Sequence, residues 1–131
     1  MYGKNHSGHN NILKIIKEKL ERQEQYNLVD DQVRTPTYVE DLAKGIVMII
    51  EKRAKGIFHL SGKDILTPYQ MAIKTAEFLK LDSSHLKKVT AASFSQPAKR
   101  PLKTGFIIDK ARKELGFEPL SFNEGLEKTF S

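Results

Sequence analysis

The sequence predicts an α/β fold, a mainly helical lobe with two or three short strands, and three observations carry that prediction. Helix-opening capping boxes stand at Thr37-Tyr38-Val39-Glu40, Thr67-Pro68-Tyr69-Gln70 and Ser121-Phe122-Asn123-Glu124. Apolar residues recur at helical spacing after these boxes, whereas the runs of strand formers are short. With 131 residues and 39% hydrophobic content, the chain can bury one core but is too short for a complete nucleotide-binding sheet plus a second lobe. A single domain over residues 1–131 is the expectation.

The elements follow in order. Ile12, Leu13, Ile16 and Leu20 recur at helical spacing after the turn signals Ser7-Gly8-His9-Asn10, predicting a helix over roughly residues 10 to 23. Tyr26 to Val29 is a short extended segment leading into the Asp30-Asp31 turn. At Thr37 the capping box opens a helix whose core stripe is Val39, Leu42, Ala43, Ile46, Ile49 and Ile50. Val47 and Met48 broaden that stripe, so this helix is expected to be buried on more than one side, against its own domain and against the rest of a larger protein. Ile57-Phe58-His59-Leu60-Ser61, between Gly56 and Gly62, reads as a buried strand.

Thr67, with proline at the first helical position, opens a helix to about Leu79 with Met71, Ala72, Thr75 and Leu79 inward. Val89 to Ser95 reads as extended, and Gln96 to Thr104, which holds Pro97 and Pro101, as an exposed loop. Asp109 is the expected N-cap of a helix to Leu115 that stops at Gly116, and Ser121 opens the last helix.

Charge narrows the partners. The net +6 is concentrated: Lys80 to Lys113 holds nine Lys/Arg against Asp82 and Asp109, a net of +7, while the rest of the chain nets −1. Such a region suits either a solvated face or an anionic partner. Aromatic residues are sparse within it and no helix-turn-helix or RNA-binding signature is present, which argues against nucleic acid. The longest apolar run, Ile46 to Ile50, is far short of the roughly 20 residues of a membrane span, and Met1-Tyr2-Gly3-Lys4 does not begin a secretory signal. Cysteine is absent, which removes disulfides and thiolate metal sites. A soluble, cytoplasmic protein with neither a nucleic-acid nor a membrane partner is expected.

Four blocks in order carry a family resemblance. They are Asp31-Gln32-Val33-Arg34-Thr35-Pro36-Thr37-Tyr38-Val39-Glu40-Asp41-Leu42-Ala43, Gly56-Ile57-Phe58-His59-Leu60-Ser61-Gly62, Lys99-Arg100-Pro101, and Lys110-Ala111-Arg112-Lys113-Glu114-Leu115-Gly116-Phe117-Glu118-Pro119. Together they resemble the C-terminal, substrate-binding half of extended short-chain dehydrogenase/reductases that act on nucleotide sugars, in particular the dTDP-4-dehydrorhamnose reductase branch. The resemblance implies a lobe normally packed on a Rossmann domain, a nucleotide-sugar substrate, and NADP or NAD held by that other half; it also allows a homodimer.

The family's cofactor and proton-transfer signatures are missing here. No three of the eight glycines form the dinucleotide fingerprint, and no tyrosine is followed at the fourth position by lysine. Hence no catalytic, cofactor-binding or metal-binding residue is assigned, no cofactor is expected to bind this piece alone, and the chain is expected to be part of a larger oxidoreductase. The resemblance places an arginine before the capped helix and another in the Arg-Pro loop at the diphosphate or nucleoside, which are Arg34 and Arg100 here. A guanidinium matches phosphate oxygens in a bidentate way.

Each assignment has a plainer rival: an ion pair of Arg34 with Asp31 or Glu40, and a solvated loop charge for Arg100. Lys103 adds attraction for an anion, and Gln32 either bonds a sugar hydroxyl or holds its turn. His6 and His9 are better read as a solvated or nucleotide-facing turn than as metal ligands, and His59 as a hydrogen-bonded strand histidine. Tyr38 and Phe106 are candidates for stacking, with core packing the alternative. Two further readings stay open: a non-catalytic regulatory subunit of the same fold, as in the beta subunit of methionine adenosyltransferase, and a nucleic-acid-binding module.

Overall fold

The computed structural model describes residues 1–4, 8, 10–95 and 97–131; His6 and His9 lie outside the described residues. Among the described residues, five α helices and a two-stranded parallel sheet are arranged in two compact units, each built from separated stretches of chain. This is the mainly helical α/β architecture that the capping boxes and short strands predict.

One unit comprises Asn5–Arg34 and Ile65–Thr104. Its sheet pairs β1 (Tyr26–Val29) with β2 (Leu86–Val89) in parallel, in the register Tyr26 to Leu86 through Val29 to Val89. Helices α1 (Ile12–Glu21) and α3 (Pro68–Leu79) pack on each other, and α3 packs on both strands. Buried Leu13, Ile16 and Leu20 of α1, Leu28 of β1, Leu86 of β2, and Met71, Ala72 and Ala76 of α3 form this core. The expected strand at Val89–Ser95 lies further upstream, at Leu86–Val89, and Ala91–Ser93 is a 3-10 turn. Pairing with β1 decides this: it draws Lys87 and Lys88 into the ladder with both side chains exposed.

Helix α3 begins as its sequence prescribes. The Thr67 hydroxyl accepts from the Gln70 amide at 3.1 Å while the Gln70 side chain accepts from the Thr67 amide at 2.9 Å. The same hydroxyl donates to Asp30 Oδ1 at 2.7 Å, tying the helix start to the end of β1. Thr67→Ala removes both contacts and is expected to lower unfolding stability by about 1–2 kcal/mol, measured by urea denaturation. A midpoint equal to that of the unsubstituted chain would show the cap to be dispensable.

The other unit comprises Met1–Lys4, Thr35–Asp64 and Gly105–Ser131. Helix α2 (Val39–Glu51) packs on α4 (Asp109–Leu115), and Met48, Ile49, Ala54, Phe58 and Leu60 cover the buried cluster of Ile108, Ala111, Leu115 and Phe117. A second buried group joins Tyr2, Tyr38 and Phe122, the last being the first residue of α5 (Phe122–Phe130). The Tyr2 ring lies 5.8 Å from Tyr38 and meets Phe122 edge-on at 5.2 Å. Burial, reinforced by Asp41 and Asp64, pushes the Tyr2 hydroxyl pKa well above its ordinary value, so this phenol stays neutral.

Four expectations are corrected in this unit. The Thr37–Glu40 capping box does not form: Tyr38 is the N-cap and makes no side-chain cap bond. The reason is that Tyr2 pairs with this segment, its carbonyl accepting the Val39 amide at 2.9 Å, while the Thr37 hydroxyl is spent on the Gly62 amide and the Thr35 carbonyl, both at 3.2 Å. Only Asp41 and Gly45 of α2 are buried in this chain, whereas Val39, Ile46 and Ile50 of the expected core stripe are exposed, as is Val47 beside it.

Residues 57–61 form no strand among the described residues, and Ile57 and His59 are exposed. Finally, Asp109 is the first residue inside α4, not its cap, which is Ile108 without a side-chain bond. The predicted stop holds: Gly116 has φ 72°, a left-handed conformation that glycine adopts at little cost. The capping box of α5 forms between Ser121 and Glu124 as predicted.

Candidate functional site

Ligands of open α/β sheets gather beyond the carboxyl ends of parallel strands, because the turns there are free of the ladder. Here β1 runs into Asp30-Asp31-Gln32 and β2 into Thr90-Ala91. The Asp30 amide donates to the Val89 carbonyl at 3.0 Å, and Asp31 Oδ1 accepts from the Ala91 amide at 2.9 Å, which holds the two turns together.

A third segment is clamped to them. The Val33 amide donates to the Leu102 carbonyl at 2.8 Å, and the Thr104 amide donates to the Val33 carbonyl at 3.0 Å. These bonds make a local parallel bridge between Val33 and Lys103 and bring the Arg100 loop beside Gln32.

Between these segments is a cavity of about 360 Å³, within the size range of small-molecule sites. Ala91, Ala92, Phe94, Ala98 and Leu102 supply its apolar wall, and Asp31, Gln32, Lys99 and Arg100 its polar groups. Gln32 is only 4% exposed, whereas Lys99 and Arg100 are on the surface. Lys99, Arg100 and Lys103 also line an adjoining, more open hollow.

Of the four residues singled out in sequence, Gln32 and Arg100 therefore share the cavity and Lys103 sits in the hollow that Arg100 also borders. Arg34 is not among the cavity-lining residues. Its backbone forms an antiparallel bridge with Leu66, with both bonds at 2.9 Å, and its guanidinium donates to Gln32 Oε1 at 3.1 Å. No ion pair of Arg34 with Asp31 or Glu40 occurs among the described residues.

Much of the remaining basic region is spent locally. Lys88 lies 3.5 Å from Asp30 Oδ2 and 4.9 Å from the Tyr69 ring centre. Lys110 donates to the Ile57 carbonyl at 2.9 Å and sits 4.4 Å from the Phe58 ring centre. Arg112 Nε is 3.4 Å from Glu118 Oε1, an ion pair without hydrogen-bond geometry. The cations left at the surface for an external anion thus include Lys99, Arg100 and Lys103.

Sequence reasoning missed the aromatic wall. Tyr38 is buried in its core, and Phe106 stacks on His59 at 5.0 Å, so His59 is an exposed stacking partner and not a strand histidine. The aromatic ring at the cavity belongs to Phe94, whose position beside Gln32 depends on pairings distant in sequence. Among the described residues no cluster of histidines and carboxylates is arranged to hold a metal ion, and no helix is long and apolar enough to cross a membrane.

An α/β lobe with a basic-rimmed cavity beyond its parallel strands has the form of a small-molecule-binding module. The chain belongs to the RmlD substrate binding domain family, whose model matches residues 1–131. It is 32% identical over 120 residues to a dTDP-4-keto-6-deoxy-D-glucose reductase of Streptomyces niveus, covering 92% of this chain and 40% of that protein. It is 28% identical over 121 residues to the spore coat polysaccharide biosynthesis protein SpsK of Bacillus subtilis, covering 92% of this chain and 42% of that protein. A shorter match, 42% identical over 64 residues, joins it to methionine adenosyltransferase 2 subunit beta of Rattus norvegicus, over 45% of this chain and 19% of that protein.

Among solved structures, the dTDP-4-dehydrorhamnose reductase of Bacillus anthracis in complex with NADP superposes with a TM-score of 0.85 at 29% identity, covering 98% of this chain and 44% of that one. The chain therefore spans less than half the length of these relatives.

Proposed function

We propose that this chain is the nucleotide-sugar-binding part of a longer, cytoplasmic NAD(P)-dependent reductase of the dTDP-4-dehydrorhamnose reductase type. The observation that carries the reading is the cavity in which Gln32 lies deep and Arg100 stands at the rim, in a chain of the RmlD substrate binding domain family. A nucleotide sugar has an uncharged base and sugar joined by a diphosphate. An apolar cavity with cations at its mouth complements that distribution.

In this reading Arg100 and Lys103 meet the diphosphate, Gln32 meets an uncharged part of the ligand, and Arg34 joins the site through Gln32. The dinucleotide belongs to another part of the longer protein. Here β1 leads into Asp30 and Asp31, with no glycine in the turn and two carboxylates where a pyrophosphate would have to approach. These residues do not fit NADP, so no hydride or proton step is assigned to them. A Gly-rich strand-turn-helix and a Tyr-x-x-x-Lys pair in the reading frame upstream of Met1 are the expected genomic companions.

Arg100→Ala is expected to weaken dTDP binding by about 1.5–3 kcal/mol, roughly 10- to 150-fold in Kd, measured by isothermal titration calorimetry. Unchanged affinity would remove Arg100 from the site and with it the main support for the reading.

A second reading draws on the match to the methionine adenosyltransferase beta subunit: a regulatory subunit that binds a different catalytic chain. Co-purification of a second, unrelated subunit in fixed stoichiometry, together with absent dTDP affinity, would favour it.

A further inference from the structure

We propose that Arg34 is a positioning residue that fixes the orientation of the Gln32 carboxamide, so that Gln32 presents its NH2 group to the cavity and reads a carbonyl oxygen on the base of the bound nucleotide. This rests on the nucleotide-sugar reading above. It departs from a direct contact of Arg34 with the diphosphate.

The argument begins with donor chemistry. A guanidinium has five N–H donors and no acceptor, whereas a carboxamide has an acceptor oxygen and a donor nitrogen. The 3.1 Å contact between the Arg34 guanidinium and Gln32 therefore admits one orientation, oxygen toward Arg34, because the flipped amide would set donor against donor. The arginine is itself held, since its amide and carbonyl both bond to Leu66. With its oxygen occupied, Gln32 is left with an NH2 group that makes no hydrogen bond to the described residues, on a side chain that is 4% exposed and lines the cavity. A ligand acceptor that enters the cavity can take this NH2 group in place of water.

Position selects the end of the ligand. The diphosphate is suited to the surface cations Lys99 and Arg100, while the buried Gln32 shares the cavity lining with Phe94, on which a flat ring can stack. Beside it, Asp31 contributes a carboxylate with one oxygen already engaged by the Ala91 amide. A donor next to an acceptor complements thymine or uracil in either order, because the ring N–H is flanked by a carbonyl on each side. Cytosine, with an amine, a bare ring nitrogen and one carbonyl, is met in one order only.

The test is calorimetric titration of the chain and its variants with dTDP and dCDP, with circular dichroism confirming an unchanged fold. The unsubstituted chain is expected to prefer dTDP roughly 10- to 100-fold. Arg34→Met frees the amide to turn, so the preference falls toward unity. Arg34→Lys, which still donates to the Gln32 oxygen, restores most of it. Gln32→Leu abolishes the preference, and adding Arg34→Met to Gln32→Leu changes the ratio no further.

Equal weakening of both nucleotides in Arg34→Met, with the preference intact, would overturn the proposal and make Arg34 a phosphate contact. Persistence of the preference in Gln32→Leu would overturn it as well, even if Arg34→Met fails to fold. An unsubstituted chain that binds neither nucleotide would instead overturn the nucleotide-sugar reading on which the proposal rests.

Discussion

Gly62→Ala is expected to destabilise the unit that contains it by about 3 kcal/mol or more, seen as a large fall in the urea midpoint. A Cβ at this position would lie 1.9 Å from the Pro36 carbonyl oxygen and 3.1 Å from its carbon. Those are backbone atoms, so no rotamer change can relieve the overlap, and one of the two segments has to move. Movement breaks the 3.2 Å bond from the Gly62 amide to the Thr37 hydroxyl, and Thr37 is the residue that precedes the N-cap of α2. A control separates backbone from side-chain crowding. At Gly45 the nearest atoms to a new Cβ are all on side chains: the Leu60 methyl carbons at 2.8 and 3.1 Å, on a half-buried side chain that can shift, and a ring carbon of the buried Phe117 at 3.1 Å. Gly45→Ala should cost clearly less, about 1 kcal/mol. Equal midpoints for Gly62→Ala and the unsubstituted chain would mean that the close approach of Gly62 to Pro36 does not hold in solution.

The same segment shows what could be read in sequence and what could not. The boxes at Thr67 and Ser121 form because everything they need lies within four residues, and the outside partner of Thr67, Asp30, takes the hydroxyl proton and leaves the oxygen free to accept the Gln70 amide. Thr37 has an equally good local pattern, yet its hydroxyl is claimed by Gly62 and the amide of Val39 by Tyr2, partners that no short window contains. Strands fail for the corresponding reason. Ile57 to Ser61 is rich in strand formers but has no neighbour to pair with among the described residues. Leu86 to Val89, with two lysines in its middle, becomes a strand because Tyr26 to Val29 lies alongside. Strand propensity describes fit to a pleated surface and is silent on whether the surface exists.

The candidate site divides the same way. Arg100 and Gln32 are distinguishable by residue type and by the blocks that surround them, but their meeting depends on the bonds of Val33 with Leu102 and Thr104. The contact of Arg34 with Gln32 is a short-range relation, two residues along an extended stretch, that residue chemistry alone could have suggested. It was hidden because a guanidinium next to an expected phosphate invites a direct contact, and the acidic residues Asp31 and Glu40 invite an ion pair. The carboxylate of Asp31 is committed to the Ala91 amide.

Substituting Ile46 and Ile50 together by lysine is expected to abolish activity of the longer protein while leaving the helical signal of this chain unchanged. Helix α2 has two apolar sides. On one, Met48 and Ile49 cover the cluster around Phe117. On the other, Val39, Ile46, Val47 and Ile50 are 41%, 49%, 49% and 68% exposed. Their spacing, with Ile46 and Val47 seven and eight positions after Val39 and Ile50 four after Ile46, is that of a stripe made to meet another layer. In our reading that layer is the dinucleotide-binding part of the longer protein, since more than half of each relative in the site comparison lies outside the match. The substituted side chains are already accessible in this chain, so two lysines there cost its own folding little. At an apolar seam, by contrast, two ammonium groups lose their hydration without partners, at a cost of roughly 4 kcal/mol or more, about a thousandfold in docking. The expected pair of results is an unchanged urea midpoint for the isolated chain and lost reductase turnover in the longer protein. Full turnover in the doubly substituted protein would show that the outer face of α2 is not the seam.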